Sequence, residues 1–112
     1  MHRIRLRLPW EREILPAIEG ESRIRFRRRF GSPRTLDMGE RVFLSLDQIT
    51  GSVEVLLNEV RLGTVTVGTT CARLPIAIAL ELRNVIEIIQ TGGDPDAMMP
   101  GEIALEFEMT DA

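Results

Sequence analysis

GSVEVLLNEVRLG, residues 51 to 63, is the stretch from which the fold can be worked out. Apolar residues recur at every second position between residues 53 and 57, which is the pattern of a β-strand with one buried face. Asn58 and Glu59 interrupt this pattern, and a second strand resumes over residues 60 to 67. The sequence therefore predicts a β-hairpin in the middle of the chain.

Further strands are predicted on both sides of this hairpin. Each is a short run with apolar residues at alternate positions, bounded by Gly, Pro or polar turn residues. They span residues 3–8, 22–30, 41–47, 70–74, 85–91 and 101–111. Together with the hairpin they make about eight short antiparallel strands, which is typical of an all-β sandwich or barrel.

The segments between these strands are predicted as connections. Residues 10–20 are expected to be a connector with a helical turn or two, because Pro16 ends any longer helix. Residues 31–40 and 92–100 are expected to be loops. Residues 77–82 are expected to form a tight or one-turn helical corner, and one long strand through this region is the alternative.

Charge is distributed unevenly along a chain whose net charge is −3. Residues 1–41 carry eleven Arg against six acidic residues, whereas residues 42–112 carry three Arg against eleven acidic residues. Lys and Tyr are absent from the sequence. We interpret the two halves as attracting one another within one fold rather than as two separate charged tails.

Arginines alternate with apolar residues in two of the predicted strands. Arg3, Arg5 and Arg7 share one face of the first strand, and the odd positions from 23 to 29 are all Arg in the second. A row of like charges is unfavourable unless opposite charges face it. Arg28 departs from the pattern because it lies on the apolar face of its strand.

The C-terminal strand supplies the opposite charge. Glu102, Glu106 and Glu108 lie on one of its faces, and apolar residues lie on the other. Cross-strand pairs of opposite charge contribute roughly 0.2–1 kcal/mol each. The pattern therefore predicts that this last strand lies beside one of the two arginine strands.

Length and composition indicate a single globular domain over residues 1–112. The sequence has 112 residues, 44% hydrophobic and 28% charged, which is the composition of a folded domain. It contains one cysteine, no apolar run long enough to span a membrane and no signal peptide. These features favour a cytoplasmic protein without a membrane association.

The order of the motifs resembles a known family. Residues 24–91 are similar to the sugar-binding domain of family 2 glycoside hydrolases. The landmarks are RRRFGSP at 27–33, RVFLSL at 41–46, VEVLLN at 53–58, LG at 62–63 and LELRNVIEII at 80–89. The resemblance implies a jelly-roll β-sandwich of the galactose-binding-like superfamily and a role in carbohydrate binding.

The sequence departs from this family in ways that bear on structure and function. Glu59 stands where the family has Gly, so a two-residue turn would place Glu at positive φ, and we expect a longer or different turn. Arg27 replaces an aromatic residue. The catalytic barrel of the enzymes has no counterpart, so no catalytic residue is carried over, and we predict a module that is not an enzyme.

Candidate groups for covalent or acid–base catalysis are few. His2 is the only histidine and stands next to the first residue, where no partner is predicted for it. Cys71 is interpreted as a small buried apolar residue rather than a nucleophile. The carboxylates alternate on strand faces or lie in loops, which is typical of solvated surfaces. We therefore assign no catalytic residues.

Binding residues are assigned for two alternative partners. For carbohydrate, the predicted contacts are Trp10 and Phe43 as stacking surfaces, with Arg34 and Asp94 as hydrogen-bonding groups. Exposure of Trp10 would favour sugar, whereas burial would make it part of the core. The alternative is a structural or protein-interaction domain that pairs through its sheets with another chain, including a second copy of itself in a homo-oligomer.

Two further ligand classes are weighed against these. Asp94 and Asp96, in the segment GGDPD, are a candidate Ca²⁺ site because this ion binds oxygen ligands, but two carboxylates are fewer than it requires. No other cofactor is expected. Nucleic acid is disfavoured as a partner because the chain is acidic overall and has few aromatic residues for base stacking.

Overall fold

The computed structural model describes residues 2–7, 9–31, 39–66, 71–76 and 82–109. These residues form nine strands and contain no helix. The strands are β1 (His2–Arg5), β2 (Glu11–Ile18), β3 (Glu21–Gly31), β4 (Glu40–Asp47), β5 (Ser52–Leu57), β6 (Val60–Val65), β7 (Cys71–Pro75), β8 (Arg83–Thr91) and β9 (Glu102–Met109). No helix long and apolar enough to cross a membrane occurs among the described residues.

The strands form two antiparallel sheets that pack as a sandwich. One sheet has four strands in the order β1-β9-β4-β7, and the other has five in the order β2-β3-β8-β5-β6. The predicted all-β sandwich is therefore confirmed, with nine strands in place of eight. Residues 85–91, predicted as a strand, belong to β8, which lies between β3 and β5.

Alternate residues of both sheets fill the space between them. In the four-stranded sheet, β4 contributes Val42, Leu44 and Leu46, each about 1% exposed. The facing sheet contributes apolar residues from β3, β5 and β8, among which Phe26 is fully buried. Complete burial of each such side chain contributes roughly 1.5–3 kcal/mol. The alternating pattern read from the sequence is thus the pattern of this core.

The turn of the central hairpin differs from the expectation of a longer connection. Leu57 pairs with Val60, so only Asn58 and Glu59 connect β5 to β6, with φ values of 51° and 68°. Positive φ at both central residues is the geometry of a type I′ turn. Asn58 Nδ2 donates to Asn84 Oδ1 at 2.9 Å. Hydrogen bonds of this kind offset the unfavourable backbone conformation of Glu59.

The segment 10–20 is a strand rather than the predicted connector with a helical turn. Its central part, Glu11–Ile18, forms β2, which pairs only with β3 and lies at the edge of its sheet. Pro16 lacks an N–H group and is tolerated in an edge strand, where one side makes no ladder. The pairing shifts register between Leu15 and Ile18, on either side of this proline.

The predicted neighbour of the C-terminal strand is confirmed. β9 pairs with β1, and Arg3 lies opposite Glu106 with their charged groups 3.8 Å apart. β3, the second arginine strand, has different partners. Arg25 lies opposite Glu13 of β2, and the two side chains approach to 2.6 Å. The hydrogen bond with Glu13 is the main cause that raises the pKa of Arg25 above its usual value.

Two predicted connections can be tested only at their ends. The loop expected at 31–40 is bounded by Gly31 in β3 and Glu40 in β4, and its residues 32–38, with Arg34 among them, lie outside the described residues. The corner expected at 77–82 likewise lies mostly outside them. The short strand predicted at 70–74 is confirmed as β7, Cys71–Pro75. The loop at 92–100 is confirmed as irregular structure.

Candidate ligand-binding site

The order of the strands places β1 across from β3 at one edge of the sandwich. At the opposite edge of the sandwich, β6 contacts β7. The strands of the two sheets can therefore be matched in order, starting from that edge. The five-stranded sheet has one strand more, and β2 extends beyond the edge. Ile14 of β2 faces the inner side but is 70% exposed, because no strand of the other sheet covers it.

A cavity of about 320 Å³ opens between β1 and β3. Its volume lies near the lower end of the range found for small-molecule sites. We call it the arginine cleft. Its lining residues are Ile4, Arg5, Leu6, Arg28, Arg29, Phe30, Gly31 and Leu105. The cleft thus combines apolar residues with three arginines, and none of the described residues that line it is acidic.

Arg28 is the residue of this cleft that the protein holds most firmly. It lies on the inner face of β3 beyond Phe26 and is half-buried. Its Nε donates to the backbone oxygen of Arg7 at 2.7 Å, and its Nη1 donates to the backbone oxygen of Arg29 at 3.2 Å. These bonds use two of the five N–H groups of a guanidinium, so three remain for other acceptors.

Arg5, Arg28 and Arg29 form no ion pair within the described part of the chain. The register of β1 explains why Arg5 lacks a partner. Arg3 lies opposite Glu106, but Arg5 lies opposite Ala104, the position where the row of glutamates in β9 is interrupted. Positive charge in the arginine cleft is therefore not neutralised by contacts within the described residues.

Two neighbouring cavities adjoin the arginine cleft and share its arginines. One, of about 320 Å³, is lined by Pro9, Trp10, Glu11, Arg28 and Arg29. The other, of about 420 Å³, is lined by Arg5, Leu6, Arg7, Met99, Glu102 and Ile103. Each contains one glutamate. Among these three cavities, only the cleft between β1 and β3 has no acidic residue in its described lining.

The outer face of the five-stranded sheet carries a second, different charged depression. It measures about 340 Å³ and is lined by Glu11, Arg12, Glu13, Arg25, Arg27 and Glu87. Here Arg27 approaches Glu11 at 3.9 Å, and Arg25 approaches Glu87 at 4.0 Å as well as Glu13. These charges satisfy one another, so this surface offers an added ligand little unbalanced charge.

The two aromatic residues predicted to stack on sugar do not offer free ring faces. Trp10 is 6% exposed, and its Nε1 donates to the backbone oxygen of Leu6 at 3.2 Å. It is therefore part of the core, which was the other interpretation of this residue. Phe43 points outward as predicted, but the guanidinium of Arg73 covers its ring at 4.1 Å from the centroid.

Asp94 and Asp96 lie in the loop after β8 and are exposed. The Oδ1 of Asp94 accepts a hydrogen bond from the backbone N–H of Asp96 at 2.9 Å, a contact that stabilises the turn itself. Within the described residues, no three His, Cys, Asp or Glu side chains are grouped as a metal site would require. The Ca²⁺ site considered at Asp94 and Asp96 stays a prediction.

Cys71 and His2 lie in different strands of the four-stranded sheet. Cys71 is exposed at the start of the edge strand β7, so the expectation of a buried residue is wrong, and its Sγ lies 3.9 Å from Ser45 Oγ. His2 lies at the start of β1, opposite Phe107. The sheet order separates β1 from β7 by two strands. The backbone positions of these two residues are therefore not adjacent in the sheet.

Comparisons with known proteins identify the fold but no sequence relative. No family model matches the sequence, and no curated protein matches it. Among solved structures, an FMN-binding β-glucuronidase from Facaelibacterium prausnitzii L2-6 superposes with a TM-score of 0.74 and 16% identity. The match covers 95% of this chain and 22% of that enzyme. The chain shares its fold with part of this glycoside hydrolase.

Other glycoside hydrolases show the same likeness over a smaller part of the chain. A Bifidobacterium dentium β-glucuronidase, complexed with coumarin-3-O-glucuronide, has a TM-score of 0.62 and 17% identity, covering 78% of this chain and 21% of that one. A rhamnosidase from Novosphingobium sp. PP1Y has a TM-score of 0.56 and 19% identity. This match covers 75% of this chain and 11% of the rhamnosidase. The β-sandwich implied by the family resemblance is thus confirmed. The chain spans 22% of the first enzyme's length and a smaller share of each of the other two.

The residues of the arginine cleft were not among the predicted binding residues. One signal pointed to them, because Arg28 stands on the apolar face of its strand. Its role could not be assigned without knowing that β1 lies across from β3. Of the four predicted ligand contacts, Trp10 is buried, Phe43 is covered, Asp94 lies in the loop after β8 and Arg34 lies outside the described residues.

Proposed function

We propose that this chain is a non-catalytic binding module with carbohydrate as its ligand class. The observation that carries the proposal is the superposition of nearly the whole chain on part of a β-glucuronidase. A fold by itself hosts many functions, so the site must also suit the ligand. The arginine cleft is the described cavity that best meets this requirement.

The lining of the cleft suits a saccharide in two respects. Ile4 and Phe30, which are both half-buried, provide apolar contacts for the C–H groups of a sugar ring. Arg28 and Arg29 provide N–H donors for hydroxyl, ring or carboxylate oxygens. Recognition would then depend on guanidinium hydrogen bonds rather than on aromatic stacking, since Trp10 is buried and Phe43 is covered.

Thermal unfolding with a panel of saccharides tests the proposal. The panel includes neutral and acidic mono- and oligosaccharides, with Ca²⁺ and a short nucleic acid as other ligand classes. A saccharide present at 100 times its dissociation constant stabilises the fold by about 2.7 kcal/mol, which raises Tm measurably. A flat response to every saccharide, or a shift with nucleic acid or Ca²⁺ alone, would refute carbohydrate binding.

A protein-interaction role is the second candidate, and β2 favours it. This edge strand carries Ile14, 70% exposed, and Ile18, 51% exposed, and its outer edge makes no ladder within the described residues. Exposed apolar residues beside an open strand edge are common features of protein contacts. The partner would be another chain, including a second copy of this one.

Sedimentation velocity at rising protein concentration tests this second candidate. Self-association through β2 predicts a mass that increases with concentration and that returns to the monomer value in Ile14→Lys. Val60→Lys is the matched control, because Val60 is 51% exposed on β6, at the opposite edge of the five-stranded sheet. A monomer at every concentration, or equal effects of both substitutions, would exclude self-association through β2.

A further inference from the structure

We infer that the arginine cleft selects acidic saccharides, namely sugars that carry a carboxylate, over neutral ones. This inference rests on the proposed carbohydrate-binding function and names the class of sugar. Arg5, Arg28 and Arg29 all line the cleft, and no acidic residue in the described part of the chain does. A carboxylate on the ligand would supply a negative charge, which the described lining residues of the cleft lack.

The geometry of Arg28 favours a carboxylate over a hydroxyl group. Two backbone carbonyls fix its guanidinium, through Nε and Nη1, and leave the Nη2 edge available. Hydrogen bonds between ionised partners are shorter and about twice as strong as those between neutral groups. Because the donor is already held in place, the ligand does not have to order this side chain on binding.

Comparison with the other arginines supports a binding role. Arg25 and Arg27 on the same strand have glutamate partners, as do Arg3 and Arg73 on the other sheet. The chain is acidic overall, and glutamates form ion pairs with arginines on the outer face of each sheet. The arginine cleft departs from this arrangement, because Arg5, Arg28 and Arg29 line one cavity and have no glutamate partner among the described residues.

The size of the cleft and its lining favour a sugar over a nucleic acid. A volume of about 320 Å³ accommodates a small ligand, not an extended backbone. Single-stranded nucleic acids are usually bound by aromatic residues on which bases stack. Phe30 is the one aromatic residue in the lining, and Trp10 of the adjoining cavity is 6% exposed.

Isothermal titration with two matched probes tests the inference. Methyl β-D-glucuronide and methyl β-D-glucoside differ only in a carboxylate against a hydroxymethyl group. We expect the glucuronide to bind about tenfold more tightly, the gain from one charge-assisted hydrogen bond. We also expect its affinity to fall as NaCl is added, because salt screens the charge interaction. Equal affinity for both probes, or no binding of the glucuronide, would overturn the inference.

A pair of double variants locates the binding site. Arg5→Gln/Arg29→Gln removes two charges from the cleft, and neither side chain makes an ion pair within the described residues. Arg23→Gln/Arg41→Gln is the control, because it removes the same charge from positions that do not line the cleft. We expect the first variant to weaken glucuronide binding about tenfold or more and the control less than about twofold. If both double variants lose glucuronide affinity equally, the attraction is nonspecific and the arginine cleft is not the binding site.

The outcomes separate this inference from the proposed function. A neutral saccharide that binds as tightly as the glucuronide, with loss in the cleft variant, would retain carbohydrate binding and refute acidic selectivity. Failure of every saccharide to stabilise the protein would refute both. Sodium sulfate or acetate that displaces the glucuronide with equal affinity would show that the cleft binds anions without recognising the sugar, which also overturns the inference.

Discussion

Arg3 and Arg5 lie two residues apart on the same face of β1, yet their surroundings are opposite. Arg3 lies opposite Glu106, which is only 8% exposed and which also accepts a hydrogen bond from Arg73 Nε at 2.8 Å. Arg5 lies opposite Ala104 and lines the arginine cleft. One glutamate in the row of β9 is thus replaced by alanine, and the adjacent arginine remains available.

This contrast separates charges that stabilise the fold from charges that are available to a ligand. Around Glu106, two arginines surround a nearly buried carboxylate, and Arg73 extends to Glu108 at 2.9 Å. The hydrogen bond with Glu108 is the largest cause that raises the pKa of Arg73, and the bond with Glu106 is the next. Removing charge around Glu106 should therefore cost stability, whereas removing charge from the cleft should cost binding.

The largest change in the free energy of unfolding is expected from reversing the charges of Glu106 and Glu108. Glu106→Lys/Glu108→Lys places like charges beside Arg3 and Arg73 and leaves them without partners at a nearly buried site. We expect the free energy of unfolding to fall by about 2–4 kcal/mol, less than for a fully buried ion pair, because Arg3, Arg73 and Glu108 are each more than a third exposed. Urea denaturation followed by circular dichroism measures this loss.

Glu54→Lys is the control for charge reversal at an exposed strand position. Glu54 has one ion pair, with Arg61 at 3.6 Å, and both side chains are largely exposed. Exposed pairs of this kind contribute about 1 kcal/mol or less. If Glu54→Lys destabilises the protein as much as the double reversal does, then the ion pairs around Glu106 are not a special source of stability.

Glu106→Gln is expected to lower the free energy of unfolding by a smaller amount. It leaves Arg3 opposite an uncharged residue, as Arg5 is opposite Ala104. The amide retains the shape of the carboxylate but loses its charge and one acceptor oxygen. We expect a loss of about 1–3 kcal/mol, the range for hydrogen bonds that involve a charged group. Thermal unfolding at low and high NaCl checks the cause, since salt should lower the stability of the wild-type chain more than that of the variant.

Arg28→Gln tests the part of the cleft that is fixed by the backbone. The substitution removes the hydrogen bonds to the carbonyls of Arg7 and Arg29. We expect a loss of about 1 kcal/mol, the contribution of a typical hydrogen bond. Arg29→Gln on the same strand is the control and should change stability by less than about 0.5 kcal/mol, as surface substitutions usually do. A loss for Arg29→Gln as large as for Arg28→Gln would show that Arg28 is not specially held.

Most strands could be predicted from the sequence because their apolar residues alternate and their ends carry Gly or Pro. The missed strand, β2, contains Pro16, which indicates a break unless the strand is known to lie at an edge. A local signal did exist, because Glu11 and Glu13 alternate as Arg25 and Arg27 do. Charge alternation alone predicted that β9 lies beside one of the two arginine strands, but it did not distinguish β1 from β3.

The candidate site could be predicted much less well. The cleft forms because β1 and β3, in different sheets, lie at the same edge of the sandwich, and no local pattern specifies that alignment. Whether an arginine meets a glutamate depends on register, as Arg3 and Arg5 show. Trp10 illustrates the same limit: its burial depends on which segment covers the end of the core. Residue types that suit a sugar were visible in the sequence, but their exposure was not.

The smallest effect is expected for the stability of Arg5→Gln/Arg29→Gln. Neither side chain makes an ion pair within the described residues, and both are exposed, so the variant loses little. Removing two like charges that line one cavity also relieves repulsion, so the free energy of unfolding should stay within about 0.5 kcal/mol of the wild type or rise slightly. Urea denaturation without ligand measures this. A loss above about 1 kcal/mol would mean that these arginines support the fold, and the contrast between Arg3 and Arg5 would then no longer separate stability from binding.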